Sequence, residues 1–143
     1  MNKSVWIARI LSLGGVLEAV VGLGLLVAPS ALSSFLLRSP LVDPGVVIAR
    51  VGGGGLVALG IACWGARKTP WASASLGVAW GFLAYNVVAC ATLAWAGPAV
   101  ANGGLPALGV AVLHGILAVG LLGALLGRGR SSAGSDPNSP ASF

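Results

Sequence analysis

Long apolar runs alternate along the chain with short polar breaks. Four runs reach the ~20 residues that a membrane-crossing helix needs: residues 5–28, 45–66, 71–96 and 107–127. Prolines punctuate them. Pro29 closes the first run. Asp43-Pro44 opens the second, as a carboxylate N-cap followed by proline at the first helical position, where a missing N–H is harmless. Thr69-Pro70 opens the third by the same logic, Pro98 closes it, and Pro106 opens the fourth. Between the first two runs, Leu32, Phe35 and Leu36 recur at helical spacing within residues 30–41, which suits a brief amphipathic helix at the interface, with a plain loop as the alternative. Residues 128–143 are rich in Ser, Gly, Pro and Asn and are expected to form a disordered tail. The predicted fold is all-α: a four-helix bundle integral to the membrane over residues 1–127, with no internal repeat between its halves.

Composition changes the picture in one respect: it removes the soluble alternatives. Hydrophobic residues are 57% of the 143, and charged residues are 8%. A water-facing domain carries roughly 25% charged residues. Eight basic and three acidic side chains give a net charge of +5. The basic residues sit at helix ends rather than in a patch with interleaved aromatics, so they read as topology signals and nucleic acid is not expected as a partner. Lys3, Arg9, Arg67, Lys68, Arg128 and Arg130 fall on one side of a four-span chain, and Arg38, Asp43 and Arg50 on the other. The positive-inside rule then places both termini in the cytoplasm. Trp6, Trp64 and Trp71 near one interface and Trp95 near the other fit an aromatic belt. The first run is long and carries Glu18 at its middle, which a cleaved signal core avoids, so it is expected to stay.

Small residues mark where helices touch in lipid, because close backbone approach replaces the hydrophobic effect there. Arg50, Gly54, Ala58, Ala62 and Ala66 follow one another at steps of four on the second helix. Gly14, Glu18 and Gly22 share a face of the first. Gly77 and Gly81 form a GxxxG on the third, and Ala107, Ala111 and Gly115 an equivalent stripe on the fourth. Gly52 to Gly55 read as close packing or a locally soft helix, since no Lys-Ser/Thr follows to make a phosphate loop. Cys63 and Cys90 differ in depth by more than ~20 Å, beyond disulfide reach, and read as packing residues.

Candidate chemistry rests on polar residues inside the spans. Each span holds one conspicuous group: Glu18, Arg50, Asn86 and His114. At ~1.5 Å rise per residue they lie ~2, ~8, ~4 and ~4 Å outward from their span centres. Tyr85 sits at the depth of Asn86. One slab of the bundle interior is therefore expected to hold all five. A charge near the bilayer centre costs ~2.5–3.5 kcal/mol even on the lenient insertion scale. Glu18 is thus expected to face inward, paired with Arg50 or His114 or carrying a proton. The cluster is either a network that registers the helices or a site for a small ligand or a proton. A haem bundle usually offers a second axial ligand, and the chain has one histidine and one methionine, the start, so no cofactor or metal is expected. No HExxH, GxSxG, P-loop or paired carboxylate is present, so no catalytic residue is assigned.

The run Ala49-Arg50-Val51-Gly52-Gly53, then Leu59-Gly60-Ile61-Ala62-Cys63-Trp64-Gly65-Ala66-Arg67, with Tyr85-Asn86 and Leu113-His114, resembles small bacterial four-helix membrane proteins of DoxX-like character. The likeness covers most of residues 10–127. It implies a four-helix fold, a bacterial inner (plasma) membrane location and association with membrane complexes, and it implies no reaction. Gly15-Val16-Leu17-Glu18-Ala19-Val20-Val21-Gly22 is similar to the first helix of small multidrug resistance transporters, which also hold a mid-helix glutamate. The first loop is longer here, that family's third-helix Tyr/Trp pattern is absent, and the fourth helix carries a histidine. The leading expectation is a non-enzymatic accessory or small-ligand-binding membrane component. The alternatives are a proton-coupled transporter using Glu18 and a membrane enzyme on a lipid or quinone substrate. Expected partners are the lipid bilayer, a second copy or a membrane-complex partner, and a small apolar or cationic ligand.

Overall fold

A computed structural model describes residues 3–99 and 104–127, and among them every regular element is a helix. The helices are α1 (Lys3–Val27), α2 (Pro29–Leu37), α3 (Asp43–Ala66), α4 (Ser73–Ala99) and α5 (Gly104–Leu126). Each of the four long ones is long and apolar enough to cross a membrane, with mean hydropathy between 1.6 and 2.2 over its best window. Their outward faces are as apolar as their inward ones. Leu13, Val20, Val51, Ile61, Val88, Val112, Ile116 and Val119 are all exposed. A protein covered this way in aliphatic side chains suits lipid rather than water. The expected tail, residues 128–143, lies outside the described residues.

The span boundaries shift at three prolines. α3 begins one residue earlier than expected, with Val42 rather than Asp43 as its N-cap, so Asp43 is the first helical residue and Pro44 the second. Pro98 does not close the third span, because α4 runs on to Ala99. Pro106 is the third residue of α5, which starts at Gly104. The corrections at Pro44 and Pro106 have one cause. A proline lacks only its own N–H, and the first turn of a helix leaves that group unused, so proline marks a first turn and not a first residue. At Pro98 the helix is already within its last turn. Pro29 ends α1 by opening α2 at its first position. The expected short helix is thus present as α2, and it ends at Arg38, whose left-handed backbone (φ 55°) turns the chain.

Two tight helix pairs make the bundle: α1 against α3, and α4 against α5. The first pair meets through glycine. A Cβ added to Gly22 would lie 2.6 Å from the Gly53 carbonyl oxygen, and one added to Gly60 would lie 2.5 Å from that of Gly15. Backbone therefore touches backbone at two points seven residues apart on each helix. This is close van der Waals packing of the kind that drives association in lipid. The face differs from the expected one. Gly53, Gly60 and Cys63 are buried, whereas Arg50, Gly54, Ala58 and Ala62 of the expected stripe are exposed and Ala66, at its end, is buried. Within the Gly52–Gly55 run only Gly53 is packed, and the helix continues through it without a break. Gly77 and Gly81 likewise face open space.

Where the two pairs face each other, larger side chains fill the interior. α5 buries Ala107, Ala111, His114, Ala118, Leu121 and Leu125, at alternating steps of four and three. α4 buries Ser75, Ala79, Phe82 and Asn86 in the same rhythm. That is the seam of an antiparallel bundle with coiled-coil-like packing. The apolar half of the interior centres on Ile7, Leu11, Cys63, Phe82 and Leu121. α2 packs on α5, α1 and α3. Its buried Ser33 donates a hydrogen bond to the Ser39 carbonyl (2.7 Å), which ties down the turn after Arg38.

Candidate functional site

The polar residues of three helices meet above the apolar core. Glu18 comes from α1, Tyr85 and Asn86 from α4, and His114 from α5. Each of Glu18, Asn86 and His114 occupies an inward seam position, so the rhythm that buries leucine and alanine elsewhere buries a polar group here. Glu18 is 3% exposed, Asn86 0% and His114 7%. The Tyr85 hydroxyl donates to Glu18 Oε2 at 2.9 Å. The Asn86 amide nitrogen donates to the Phe82 carbonyl at 2.8 Å, one turn back on its own helix. That bond leaves Asn86 Oδ1 facing His114 Nδ1 at 2.9 Å, so Nδ1 carries the proton and donates it. Glu18 Oε1 lies 3.8 Å from the same Nδ1, long for an ion pair. The Tyr85 ring meets the His114 ring edge-on at 5.6 Å and is stacked with Phe82 at 6.4 Å. Among the described residues no buried side-chain nitrogen or oxygen is left without a partner.

Space for the cluster comes from glycine. A Cβ on Gly14 would collide with the Phe82 ring, so Gly14 lets Phe82 reach under Glu18 toward the first helix. The sequence places Gly14 on the face of Glu18 and Gly22, but it does not single out Phe82 or the contact between the two. The signal available was position: each lies one turn before a polar member of the cluster, on the same face.

Four of the five residues expected to share a slab therefore do so, and Arg50 does not. Arg50 is exposed on α3, among the apolar residues Val47, Ile48 and Val51. The glycine contacts explain this. Gly22 is level with Gly53 and Gly15 with Gly60, which sets Arg50 level with Leu25. That is seven residues, about 10 Å, from Glu18. Its partner for Glu18 is instead the Tyr85 hydroxyl, with His114 nearby. A lipid-facing arginine near a helix end lowers its cost by reaching to the interface. Cys63 is buried and Cys90 half-buried, and both are free thiols. Among the described residues no three His, Cys, Asp or Glu side chains gather as metal ligands would.

Chemically, the arrangement brings together two hydrogen-bonded pairs, Tyr85 with Glu18 across the two helix pairs and His114 with Asn86 between α5 and α4, with Glu18 and His114 3.8 Å apart. The Tyr85–Glu18 bond ties the two helix pairs together, and the cluster has a carboxyl and an imidazole that can hold a proton. No family model, curated protein or solved structure matches this chain.

Proposed function

We propose that this chain is a non-enzymatic, multi-pass accessory component of the bacterial inner membrane, with both termini cytoplasmic and with the Glu18–Tyr85–His114–Asn86 cluster as the joint between its two helix pairs. One observation carries the reading. The hydrogen bonds of the cluster's polar groups run to one another or to the Phe82 carbonyl. With the Tyr85 hydroxyl, both ends of the Asn86 amide and His114 Nδ1 engaged within the protein, the cluster supports a fixed bundle register. The orientation follows from the basic residues at the end shared by the start of α1 and the end of α3. The DoxX-like resemblance supports a bacterial membrane and a partner complex.

Native mass spectrometry of the protein extracted in mild detergent, wild type beside Glu18→Gln, checks this. The expected spectrum shows the same associated lipid or protein masses in both forms. A small non-lipid molecule present in wild type and lost in Glu18→Gln would make the cluster a ligand site and end the accessory reading.

A second reading is proton-coupled transport through Glu18. It is favoured by the position of that carboxyl on the one face of α1 that meets the other helix pair. Gain or loss of a proton there would alter the attraction between two compact bodies. It requires uptake of a quaternary amine into proteoliposomes under a pH gradient, abolished by Glu18→Gln.

A further inference from the structure

We infer that the outer flank of the α1–α3 seam is a binding site for one anionic phospholipid, its phosphate held by Arg9 and Arg67 and an acyl chain laid along the glycine seam. The inference rests on the membrane reading of the chain and is independent of the cluster's role.

Two grooves lie on this flank. The first, of about 640 Å³, is lined by Val5, Ala8, Arg9, Ser12, Leu13 and Arg67. The second, of about 200 Å³, is lined by Gly15, Val16, Ala19, Gly60, Ile61 and Trp64. Val5, Arg9, Ser12, Val16 and Ala19 are spaced by three or four residues, so they form one stripe along α1. The grooves therefore follow each other on the same side of the seam. The glycine register extends to the basic end. One step of seven beyond the Gly15–Gly60 contact sets Ala8 level with Arg67. The two guanidinium groups thus belong to adjacent positions on facing helices. Trp64 joins the grooves: it lines the second, and the Arg67 guanidinium stacks over its ring at 3.8 Å. Stacking holds the guanidinium plane while leaving its N–H edge free for a phosphate.

Charge and length select the occupant. Neither arginine has an acidic partner among the described residues. Of the acidic residues described, Glu18 is in the cluster and Asp43 begins α3 at the opposite end. Charge complementarity with the described residues leaves this end open to an anionic headgroup. Residues 5 to 19 of α1 rise ~21 Å, which is half of a ~40–45 Å bilayer with its headgroups. One lipid in one leaflet spans that distance. The upper groove offers two basic groups, its Ser12 hydroxyl being donated to the Ala8 carbonyl at 2.7 Å, and the lower is almost wholly apolar. Basic pockets between transmembrane helices hold acidic headgroups in this manner.

The test titrates the purified full chain in mild detergent with phosphatidylglycerol or phosphatidylcholine of identical acyl chains, read by native mass spectrometry. Wild type is expected to prefer phosphatidylglycerol by roughly tenfold or more. The double variant Arg9→Gln/Arg67→Gln is expected to bring the two affinities together, with the larger loss for phosphatidylglycerol. Arg38→Gln/Arg50→Gln, which removes the same charge at the other end, is expected to keep the preference. Helicity and elution volume verify that each variant is folded. Equal binding of the two lipids by wild type overturns the inference, whatever the variants do. So does loss of preference in the Arg38/Arg50 control, which would mark a general charge effect. Displacement of phosphatidylglycerol by millimolar inorganic phosphate overturns it too, since the site would then hold a free anion. A chain that stays soluble without detergent would instead refute the membrane reading itself.

Discussion

Gly60→Ala will separate α1 from α3 and destabilise the folded protein by about 1–3 kcal/mol, the usual range for forcing a methyl group into a filled interior. The added carbon would stand 2.5 Å from the Gly15 carbonyl oxygen and 3.0 Å from Ala19 Cβ. No rotamer can relieve a Cβ, and the carbonyl belongs to a continuous helix. The axes must move apart, and the Gly22–Gly53 contact then opens with them. Lipid does not compensate, since apolar surface gains nothing from being buried away from hydrocarbon. The control sharpens the claim. Gly54→Ala and Gly77→Ala add the same methyl to positions with nothing within 4 Å. By helix propensity alone alanine is preferred to glycine by ~1 kcal/mol, so these two should match or exceed wild type. Unfolding in mixed micelles of rising sodium dodecyl sulfate fraction, followed by tryptophan fluorescence, reads the difference. Equal midpoints for Gly60→Ala and Gly54→Ala would show that the seam is not closely packed.

The same glycines explain what could be read from the sequence. Four apolar runs of sufficient length are visible without any tertiary information, because lipid imposes a length and a composition on each crossing. Depth is visible too, since rise per residue is fixed. That is why Glu18, Tyr85, Asn86 and His114 could be grouped before their contacts were known. Rotation about each axis and the vertical offset between helices are different matters. They depend on which small residues interlock, and α3 offers small residues on every face. Steps of four from Arg50 trace Gly54, Ala58 and Ala62, yet the contacts fall at Gly53 and Gly60, seven apart. The two stripes differ by about 100° of rotation about α3, the angle of one residue. That rotation separates an interior Arg50 from the exposed one observed. Pattern on one helix does not select between stripes; only complementarity with Gly15 and Gly22 does. Tyr85 was placed by depth beside Asn86, and its bond to Glu18 follows from the α4 rotation that the buried Phe82 and Asn86 define.

Tyr85→Phe and Glu18→Met will each destabilise the bundle by about 1–3 kcal/mol, and the two together will cost less than their sum. The asymmetry comes from desolvation. Removing the phenol leaves Glu18 Oε2 buried without its 2.9 Å donor, and removing the carboxyl leaves the Tyr85 hydroxyl without an acceptor. An orphaned buried polar group costs ~1–3 kcal/mol, whereas replacing both partners by apolar groups of similar shape is often nearly neutral. A coupling of about 1 kcal/mol or more is therefore expected from the double-mutant cycle, measured by the same detergent titration. Strict additivity would mean that the bond contributes nothing and that the cluster is held by its surroundings. His114→Leu should behave as the other singles do, because it deprives Asn86 Oδ1 of its donor while the Asn86 amide stays fixed on Phe82. The double variant Tyr85→Phe/Glu18→Met then separates structure from function. It keeps the volume of the joint and removes the phenol and the carboxyl. An accessory protein should retain its associated masses in that variant, since its register no longer depends on the bond that was lost. A transporter coupled through Glu18 should fold equally well and move nothing.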